Sequence, residues 1–322
     1  MASHLSKGTK LGVIGAGGVG SALAYAATLR GSADEIVIYD IAAERATAEG
    51  LDIAHGTMFA HEAAVSGSGD VEILRDCDMI VITAGARQKP NQPRLELVDA
   101  NVKIFQSMLP QVMAVAPDAI LMIVTNPCDA LAVVAQKITG LPTGRCFASG
   151  TVLDSSRLRW LIARKAGVSI RSVHANIVGE HGDSEFPVWS AANIGMVPLA
   201  DWEVDGQKIF TKEVKDQLAH EAMRAAYKVI EGKGSTNYAI GISGARIVEA
   251  VLQGQKAVLP VATQLNGRYG IEGQAAVSLP SVVSYQGVEK VLDVPMNEEE
   301  LTKLRASAHA IDEVLTGVGL GS

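Results

Sequence analysis

The stretch Leu11-Gly12-Val13-Ile14-Gly15-Ala16-Gly17-Gly18-Val19-Gly20 decides the predicted fold of this chain. Its first four residues form a short apolar strand, and an alanine-rich helix over Ser21–Leu29 follows the glycines. A glycine-rich turn between a strand and a helix lets backbone N–H groups approach a pyrophosphate at the helix N-terminus. We therefore predict a dinucleotide-binding turn formed by Gly15, Gly17, Val19 and Gly20.

A second apolar strand, Glu35–Tyr39, ends in the acidic residue Asp40. In a dinucleotide-binding βαβ unit, an acid at this place accepts hydrogen bonds from the hydroxyls of the adenosine ribose. Because its negative charge repels a 2′-phosphate, the sequence favours NAD over NADP as the cofactor. The alternative is that Asp40 caps a turn and that the glycines serve packing only.

Strands and helices alternate through the first half of the chain. We predict a helix over 42–59 and strands at Val71–Ile73, Met79–Thr83 and Ala119–Val124. Near-continuous apolar strands separated by helices indicate a parallel sheet that is covered on both faces.

Near residue 150 the pattern changes to helices and alternating strands. Helices are predicted at about 212–231 and 236–252, a β-hairpin around Asn266-Gly267, and a last helix capped by Asn297. We therefore predict an α/β fold with a Rossmann doubly wound parallel sheet at 8–149 and a second α+β substrate domain at 150–322.

The composition excludes several functional classes. The chain of 322 residues has a net charge of -7 and a pI near 5.5, which argues against a nucleic-acid-binding surface. Cys77, Cys128 and Cys146 have neither metal-ligand nor disulfide spacing, which favours a reducing, cytoplasmic setting. There is no apolar leader and no run of about 18 apolar residues, so we expect a soluble protein without a metal site or a membrane span.

Two polar segments follow predicted strands at the sheet edge where α/β proteins bind ligands. Residues 84–94 carry two prolines and several polar side chains, among them Gln88 and Arg94, and a loop of this length is a candidate lid. The other segment, Thr125-Asn126-Pro127, offers an amide that can donate and accept hydrogen bonds beside a ligand. Without a ligand, the first would be a solvated loop and the second a turn.

An acid, two arginines and a histidine carry the predicted chemistry of the second half. Asp154 and Arg157 share one face of a predicted helix, whereas Arg159 points roughly the opposite way. His181 lies between glycines after an apolar strand predicted over Val173–Val178. Imidazole passes protons near neutral pH, an aspartate can orient it, and a guanidinium grips a carboxylate with its planar fork. The alternatives are an intrahelical ion pair and a histidine in a turn.

Six motifs in this order resemble those of the NAD-dependent 2-hydroxyacid dehydrogenases of the lactate/malate type, over about residues 8–315. The shared motifs are Gly15–Gly20, Asp40, the loop to Arg94, Thr125–Pro127, Leu153–Arg157 and Gly179–Ser184. The resemblance implies that His181 is the proton donor and acceptor and that Asp154 holds it and makes it more basic. It implies that Arg157 binds the substrate carboxylate, that Arg94 closes over the site and polarises the reacting carbonyl, and that Asn126 contacts the substrate oxygen. It also suggests a cis peptide bond between Asn126 and Pro127.

Gln88 decides the predicted substrate. Lactate-specific members of the family carry a glutamine in this Gln-Lys-Pro stretch and malate-specific members an arginine, because oxaloacetate has a second carboxylate that needs a second cation. We therefore expect pyruvate and (S)-lactate as substrates. The resemblance places Thr236 beside the substrate and Ile240, four residues later on the same predicted helix, beside the nicotinamide; the alternative is ordinary helix packing. Two other functions stay open: a malate or other 2-hydroxyacid dehydrogenase, and a non-catalytic NAD-binding structural protein.

The positions of Arg159 and His174 predict that an effector regulates this protein. Both match positions at which bacterial members of the allosteric type bind fructose 1,6-bisphosphate between two subunits of a tetramer. A bisphosphate needs clustered cations, and a two-fold axis would double one arginine and one histidine into four donors. We therefore expect a homotetramer that responds to this effector. The alternative is a surface arginine and a strand-end histidine without a ligand.

Overall fold

A computed structural model describes residues 8–86 and 94–320 of the chain. The helices in this part of the chain are α1 (Gly18–Arg30), α2 (Ala43–Gly56), α3 (Arg94–Val115), α4 (Cys128–Thr139), α5 (Val152–Ala166), α6 (Lys212–Lys233), α7 (Tyr238–Leu252) and α8 (Glu298–Gly317). The strands are β1 (Lys10–Ile14), β2 (Glu35–Tyr39), β3 (Ala64–Ser68), β4 (Met79–Ile82), β5 (Ile120–Ile123), β6 (Cys146–Ala148), β7 (Val173–His174), β8 (Ile177–Val178), β9 (Phe186–Pro187), β10 (Asn193–Ile194), β11 (Val197–Pro198), β12 (Glu203–Val204), β13 (Gln207–Lys208), β14 (Ala257–Gln264), β15 (Ala276–Ser284) and β16 (Gly287–Val291). None of these helices has the length and apolar character of a membrane span.

Six parallel strands form the first part of the main sheet, in the order β3-β2-β1-β4-β5-β6. This order is that of a doubly wound Rossmann sheet, and the strand order reverses between β1 and β4. β4 and β5 are four-residue apolar strands with every residue buried, because helices cover both of their faces. The prediction of a Rossmann doubly wound sheet is confirmed.

Alternate residues of each central strand face the two layers of helices. Ile80 and Ile82 of β4 pack into a core with α3, α4 and α8, whereas Met79 and Val81 pack into a core with α1 and α7. A third core lies between α5, α6 and the strands β7 and β10, and Leu158 and Ile162 contribute to it from α5. The sheet is therefore fixed from both sides, and α5 joins it to the second half of the chain.

The second half is α+β as predicted, but its long strands do not form a sheet of their own. β14, β15 and β16 continue the main sheet beyond β6 as antiparallel strands, through the pairing of Ala262 with Ala148, and give a nine-stranded sheet. The shorter strands form three small antiparallel sheets: β7-β10-β11, β8-β9 and β12-β13. The cap predicted at Asn297 is present at the start of α8, where Asn297 and Glu300 form a capping box.

Two predicted strands were wrong. Val71–Ile73 belongs to a 3₁₀ helix, and the third strand is instead β3, whose small and polar sequence AVSGS leaves it partly exposed at the sheet edge. Val173–Val178 is not one strand but two, β7 and β8, which pair with different partners on either side of Ala175 and Asn176. His174 and His181 are therefore not at the two ends of one strand.

Two local details also differ from the prediction. α7 begins only at Tyr238, so Thr236 lies in the turn before the helix that carries Ile240. Asn266 and Gly267 both have positive φ, but the connection between β14 and β15 is longer than a two-residue turn and contains a 3₁₀ turn at Arg268–Gly270.

Candidate active site

A cleft of about 1140 Å³ opens at the carboxyl ends of β1, β4 and β5, where the strand order reverses. Ligands bind at this place in open α/β sheets because loops on the two sides of the reversal diverge and leave a crevice. The cleft is lined by these predicted site residues: Gly15, Gly17, Val19, Asp40, Asn126, Arg157, His181, Thr236 and Ile240. The fold thus brings together residues that are more than 200 positions apart in sequence.

Gly15, Gly17 and Gly20 have different structural roles in the glycine-rich turn. Gly15 has φ +107°, and a Cβ there would lie 2.7 Å from Thr83 Oγ1. Gly20 is buried beneath the cleft rather than lining it, and a Cβ there would lie 1.9 Å from the Gly15 carbonyl oxygen. Gly17 has open space where its Cβ would stand, on the side of the cleft. Gly15 and Gly20 therefore serve the backbone, whereas Gly17 leaves room for a ligand.

The N-terminus of α1 fits an anion. The helix begins at Gly18, its N-cap Gly17 has no side chain to accept the first N–H groups, and its first turn holds no acidic residue. The first N–H groups of a helix lack partners within the helix and carry partial positive charge. The pyrophosphate of a dinucleotide supplies the negative oxygens that such N–H groups bind.

Asp40 holds a turn and also lies at the cleft, where its contact with a ribose stays a prediction. Its Oδ2 accepts a hydrogen bond from Ala16 N at 2.7 Å and its Oδ1 from Ala42 N at 2.9 Å, so it does hold a turn. It also lines the cleft, and each carboxylate oxygen keeps a further lone pair that can accept a bond from a sugar hydroxyl.

Asp154, Arg157 and His181 form a contiguous cluster at the other end of the cleft. Asp154 is buried in α5; its Oδ1 accepts from Arg157 Nη1 at 2.6 Å, and its Oδ2 lies 2.7 Å from His181 Nδ1. The side chains of Arg157 and His181 are 14% and 28% exposed, and both line the cleft. The intrahelical ion pair and the aspartate–histidine pair, which we weighed as alternatives, exist together because Asp154 uses one oxygen for each.

The charges in this cluster shift the pKa values of His181 and Asp154. The negative charge of Asp154 outweighs the burial of the ring and raises the pKa of His181 to about 9. Burial opposes ionisation of Asp154, but the charges and hydrogen bonds of His181 and Arg157 keep its pKa below the ordinary value. At neutral pH the imidazole is therefore protonated, with Nδ1–H donated to Asp154 and Nε2–H left as the donor for a ligand.

Two further carboxyl groups lie close to His181, and sequence reasoning missed both. Asp129, buried in the first turn of α4, accepts a hydrogen bond from the backbone N–H of His181 at 2.6 Å. Burial raises the pKa of Asp129 to about 6, although the nearby His181 opposes this. Glu185 is buried close to Asp154 and His181. The only signals of these two groups in the sequence were an acidic residue shortly after Asn126-Pro127, which is Asp129, and one directly after Ser184, which is Glu185.

Asn126 lies in the loop after β5, at the cleft, and the Asn126–Pro127 peptide bond is cis, as predicted. Its carbonyl oxygen accepts a hydrogen bond from Nδ2 of Asn101 at 2.9 Å. Asn101, wholly buried in α3, also accepts a bond from Ala86 N at 2.7 Å through its Oδ1. This residue, which sequence reasoning missed, ties the loop after β5 to the start of the candidate lid.

Residues 87–93 of the candidate lid lie outside the described residues. This applies to Gln88 and to the side chain of Arg94, whose backbone begins α3. The far wall of the cleft is described: Thr236, in the turn before α7, and Ile240, in its first turn, both line it.

Arg159 lies on the opposite side of α5 from this cluster, as its spacing predicts. Its Nε donates to the carbonyl oxygen of Ala175 and its Nη2 to Asn176 Oδ1, both at 2.7 Å. These bonds fix the half-buried guanidinium next to the chain segment that follows the exposed His174.

Two families of known domains match the chain. Residues 9–148 match the lactate/malate dehydrogenase NAD binding domain, and residues 151–318 match the lactate/malate dehydrogenase alpha/beta C-terminal domain. The L-lactate dehydrogenase of Bifidobacterium animalis subsp. lactis is 48% identical over 314 residues, which cover 97% of this chain and 98% of the relative. That of Thermoanaerobacterium saccharolyticum is 41% identical over 307 residues, covering 95% and 98%.

Solved structures give the same result. A lactate dehydrogenase from a Medee basin deep-sea metagenome library superposes with a TM-score of 0.92 at 36% identity, covering 97% of this chain and 99% of its own. The minor L-lactate dehydrogenase of Enterococcus mundtii, in a ligand-bound form, superposes with a TM-score of 0.91 at 37% identity, covering 96% and 98%.

Proposed function

The chain belongs to the lactate/malate dehydrogenase family, and we propose that it is an NAD-dependent L-lactate dehydrogenase, which interconverts pyruvate, NADH and a proton with (S)-lactate and NAD⁺. The observation that carries this proposal is the 2.7 Å contact between Asp154 and His181, which lies beside Arg157. His181 and Arg157 line the same cleft as the glycine-rich N-terminus of α1, which has no side-chain cap. A protein that only binds NAD has no use for such a proton donor. The matched relatives named L-lactate dehydrogenase support the same reaction.

The first half of the chain, residues 8–149, holds the cofactor in this proposal. Gly15, Gly17 and Val19 receive the pyrophosphate at the N-terminus of α1, with Gly20 packing beneath them. Asp40 accepts the ribose hydroxyls, and Asn126 and Ile240 flank the nicotinamide end. When bound, NADH supplies the hydride that the substrate's carbonyl carbon accepts.

The second half, residues 150–322, supplies most of the groups for the substrate and its proton. Arg157 binds the substrate carboxylate, and its bond to Asp154 fixes the guanidinium before the substrate arrives. His181 donates its Nε2 proton to the carbonyl oxygen of pyruvate while Nδ1–H stays bonded to Asp154. Arg94 and Asn126 stabilise the negative charge that develops on that oxygen. In lactate oxidation neutral His181 accepts the proton back.

Gln88 and Thr236 set the substrate in this proposal. A neutral amide and a small hydroxyl residue leave the methyl end of pyruvate without a charged partner, whereas the second carboxylate of oxaloacetate would be buried unpaired. The decisive experiment compares kcat/KM with NADH for pyruvate, oxaloacetate and branched 2-oxoacids, in the wild type and in Gln88→Arg. We expect pyruvate to be preferred by the wild type and the preference to shift towards oxaloacetate in the variant.

Three results would contradict this assignment. A wild-type preference for oxaloacetate or a branched acid would make the chain a different 2-hydroxyacid dehydrogenase. NADH binding without turnover of any 2-oxoacid would make it a non-catalytic NAD-binding protein. An unchanged substrate ratio in Gln88→Arg would remove Gln88 from the specificity.

Regulation by fructose 1,6-bisphosphate in a homotetramer is part of the same proposal. Arg159 is held beside the segment of His174 by two hydrogen bonds, so two copies around a two-fold axis would present clustered cations to two phosphates. Without the effector these cations repel one another, so the bisphosphate favours the assembled form. The buried thiols of Cys77, Cys128 and Cys146 fit a reducing cytoplasm.

The effector proposal is tested by titrating the bisphosphate against the KM for pyruvate at low and high protein concentration. We expect it to lower KM, more so in dilute protein, and to raise the oligomer mass. Arg159→Gln should abolish both effects. Arg164→Gln, which removes an exposed arginine stacked on Trp160 of the same helix, is the matched control and should respond like the wild type. No response in the wild type would exclude this regulation.

A further inference from the structure

Glu185 is a buried carboxyl group that the proposed reaction leaves without a role. It follows the His181 segment at the start of β9, is 6% exposed, and its backbone N–H bonds to the Gly182 carbonyl oxygen at 3.2 Å. This turn brings its side chain back towards the catalytic cluster. One oxygen of Glu185, one of Asp154 and one ring nitrogen of His181 all lie within 4.8 Å of one another.

Charged groups of both signs surround Glu185. The titratable groups near it are Asp154 and Arg157 on α5, His181 and Glu180 on its own segment, and Asp129 on α4, which faces His181. Asp154, Arg157 and protonated His181 together carry one net positive charge, which is what an incoming substrate carboxylate requires. An ionised Glu185 would cancel that charge and compete with the substrate for Arg157.

Two carboxyl groups that lie this close at a buried site are not both ionised, because their negative charges would repel each other strongly. Asp154 keeps its charge, since Arg157 and His181 both donate to it. Glu185 therefore holds the proton: burial and the charge of Asp154 raise the pKa of Glu185 to about 9, against the opposing charges of His181 and Arg157.

We propose that Glu185 is a positioning residue that stays a neutral carboxylic acid and donates a hydrogen bond to the Asp154 carboxylate. This inference rests on the proposed function and deepens it. The carboxylate of Asp154 then accepts from three sides: Arg157, His181 and Glu185. The third donor holds Asp154 in the orientation that His181 needs and draws off part of its charge, so that it moderates the basicity of His181.

The direction in which the pKa of His181 changes in a Glu185 variant distinguishes a neutral Glu185 from an ionised one. Glu185→Gln replaces one neutral donor by another and keeps the size of the side chain. Under the proposal, Glu185→Gln keeps the wild-type rate at every pH below the one at which Glu185 itself ionises. If Glu185 were an anion, the same change would remove a nearby negative charge and move the alkaline decline of pyruvate reduction to lower pH. Glu185→Met removes the donor and keeps the volume.

The experiment measures kcat/KM for pyruvate against pH in the wild type, Glu185→Gln, Glu185→Met and Glu300→Gln. Glu300 is a second buried glutamate, which caps α8 and bonds Ser190, so its variant controls for the loss of a buried carboxyl group. We expect Glu185→Gln to stay within about twofold of the wild type and Glu185→Met to lose about tenfold or more, as a misplaced catalytic group does. The alkaline decline of Glu185→Met should not move to lower pH, and Glu300→Gln should keep the wild-type profile.

A second measurement does not depend on activity. The infrared difference spectrum between the wild type and Glu185→Gln at neutral pH should contain the C=O stretch of a protonated carboxylic acid. Absence of this band, a decline in Glu185→Gln that moves below the pH at which Glu185 ionises, or wild-type kcat/KM in Glu185→Met would each overturn the inference. Failure of the wild type to reduce pyruvate would instead refute the proposed function, and the infrared band would still test the protonation of Glu185.

Discussion

Replacing Asp154 by asparagine should move the pH at which pyruvate reduction fails, because Asp154 is the main reason that His181 stays protonated. The pKa of His181 is raised from 6.5 to about 9. At about 1.4 kcal/mol per pKa unit, this shift corresponds to roughly 3 kcal/mol of interaction that favours the charged ring. Asparagine has the same size but no charge, so burial of the ring then acts with less opposition and we expect a pKa at or below 6.5.

The size of the effect depends on pH and on the direction of the reaction. At about pH 7.5 the wild-type ring is almost fully protonated, whereas a ring with a pKa of about 6.5 is protonated in about one molecule in ten. Reduction needs the proton, so protonation alone lowers it about tenfold at this pH and hardly at all below about pH 5.5. Loss of the Nδ1 anchor adds a factor that persists at low pH, within the ~10²–10⁴ worth of a positioned acid. Lactate oxidation needs the neutral ring, so the lower pKa favours it and only the second factor acts against it.

The assay follows NADH absorbance and records kcat/KM in both directions from about pH 5.5 to 10. In the wild type, reduction should be constant below the raised pKa and fall as pH rises through about 9. Asp129→Asn is the matched control, because Asp129 bonds the backbone N–H of His181 and its charge raises the pKa of His181 less than the charge of Asp154 does, so the decline should move less. If Asp154→Asn loses activity while its alkaline decline stays near pH 9, Asp154 acts through geometry alone and the electrostatic reasoning is wrong.

Four further substitutions test other parts of the site. His181→Gln should cut turnover by roughly 10²–10⁴ with NADH affinity nearly intact, measured by fluorescence titration; an equal loss of affinity would make the residue structural. Gly20→Ala, whose Cβ would meet the Gly15 carbonyl oxygen, should lower the free energy of unfolding by about 1–3 kcal/mol in thermal unfolding. Gly17→Ala should keep the stability of the wild type and weaken NADH binding. Identical behaviour of the two variants would contradict the separate roles of the two glycines. Asn101→Leu should cost about 1–3 kcal/mol, because it leaves two backbone groups unpaired; wild-type stability would mean that water replaces them.

Much of the fold could be predicted because its central strands are buried on both faces. β1, β2, β4 and β5 are short apolar runs bounded by polar residues, so composition alone locates them. β3 was missed because an edge strand with one neighbour needs no such run. The split of Val173–Val178 was missed because its two halves differ in their partners rather than in their composition.

The site could be predicted as far as topology and local motifs reach. Residues that follow β1, β2 and β5 meet at one edge because parallel strands end together, which placed Gly15, Asp40 and Asn126 correctly at the cleft. Asp129 meets the backbone of His181 across 52 residues of sequence, and neither periodicity nor spacing records such a contact. Contacts of this kind depend on how α4 and the His181 segment pack, which only the folded chain determines.

Asp154 accepts hydrogen bonds from both Arg157 and His181, and these bonds prepare the site for catalysis. A buried aspartate that served only His181 would leave one oxygen without a partner, at a cost of about 1–3 kcal/mol or more for a charged group. Arg157 satisfies that oxygen, and the same bond holds the guanidinium at the cleft, so less side-chain entropy is lost when a substrate carboxylate binds. The ion pair that looks purely structural in the sequence is therefore what makes both neighbours ready for catalysis. Substituting Asp154 should accordingly raise the KM for pyruvate as well as shift the pH profile, whereas substituting His181 should change turnover alone.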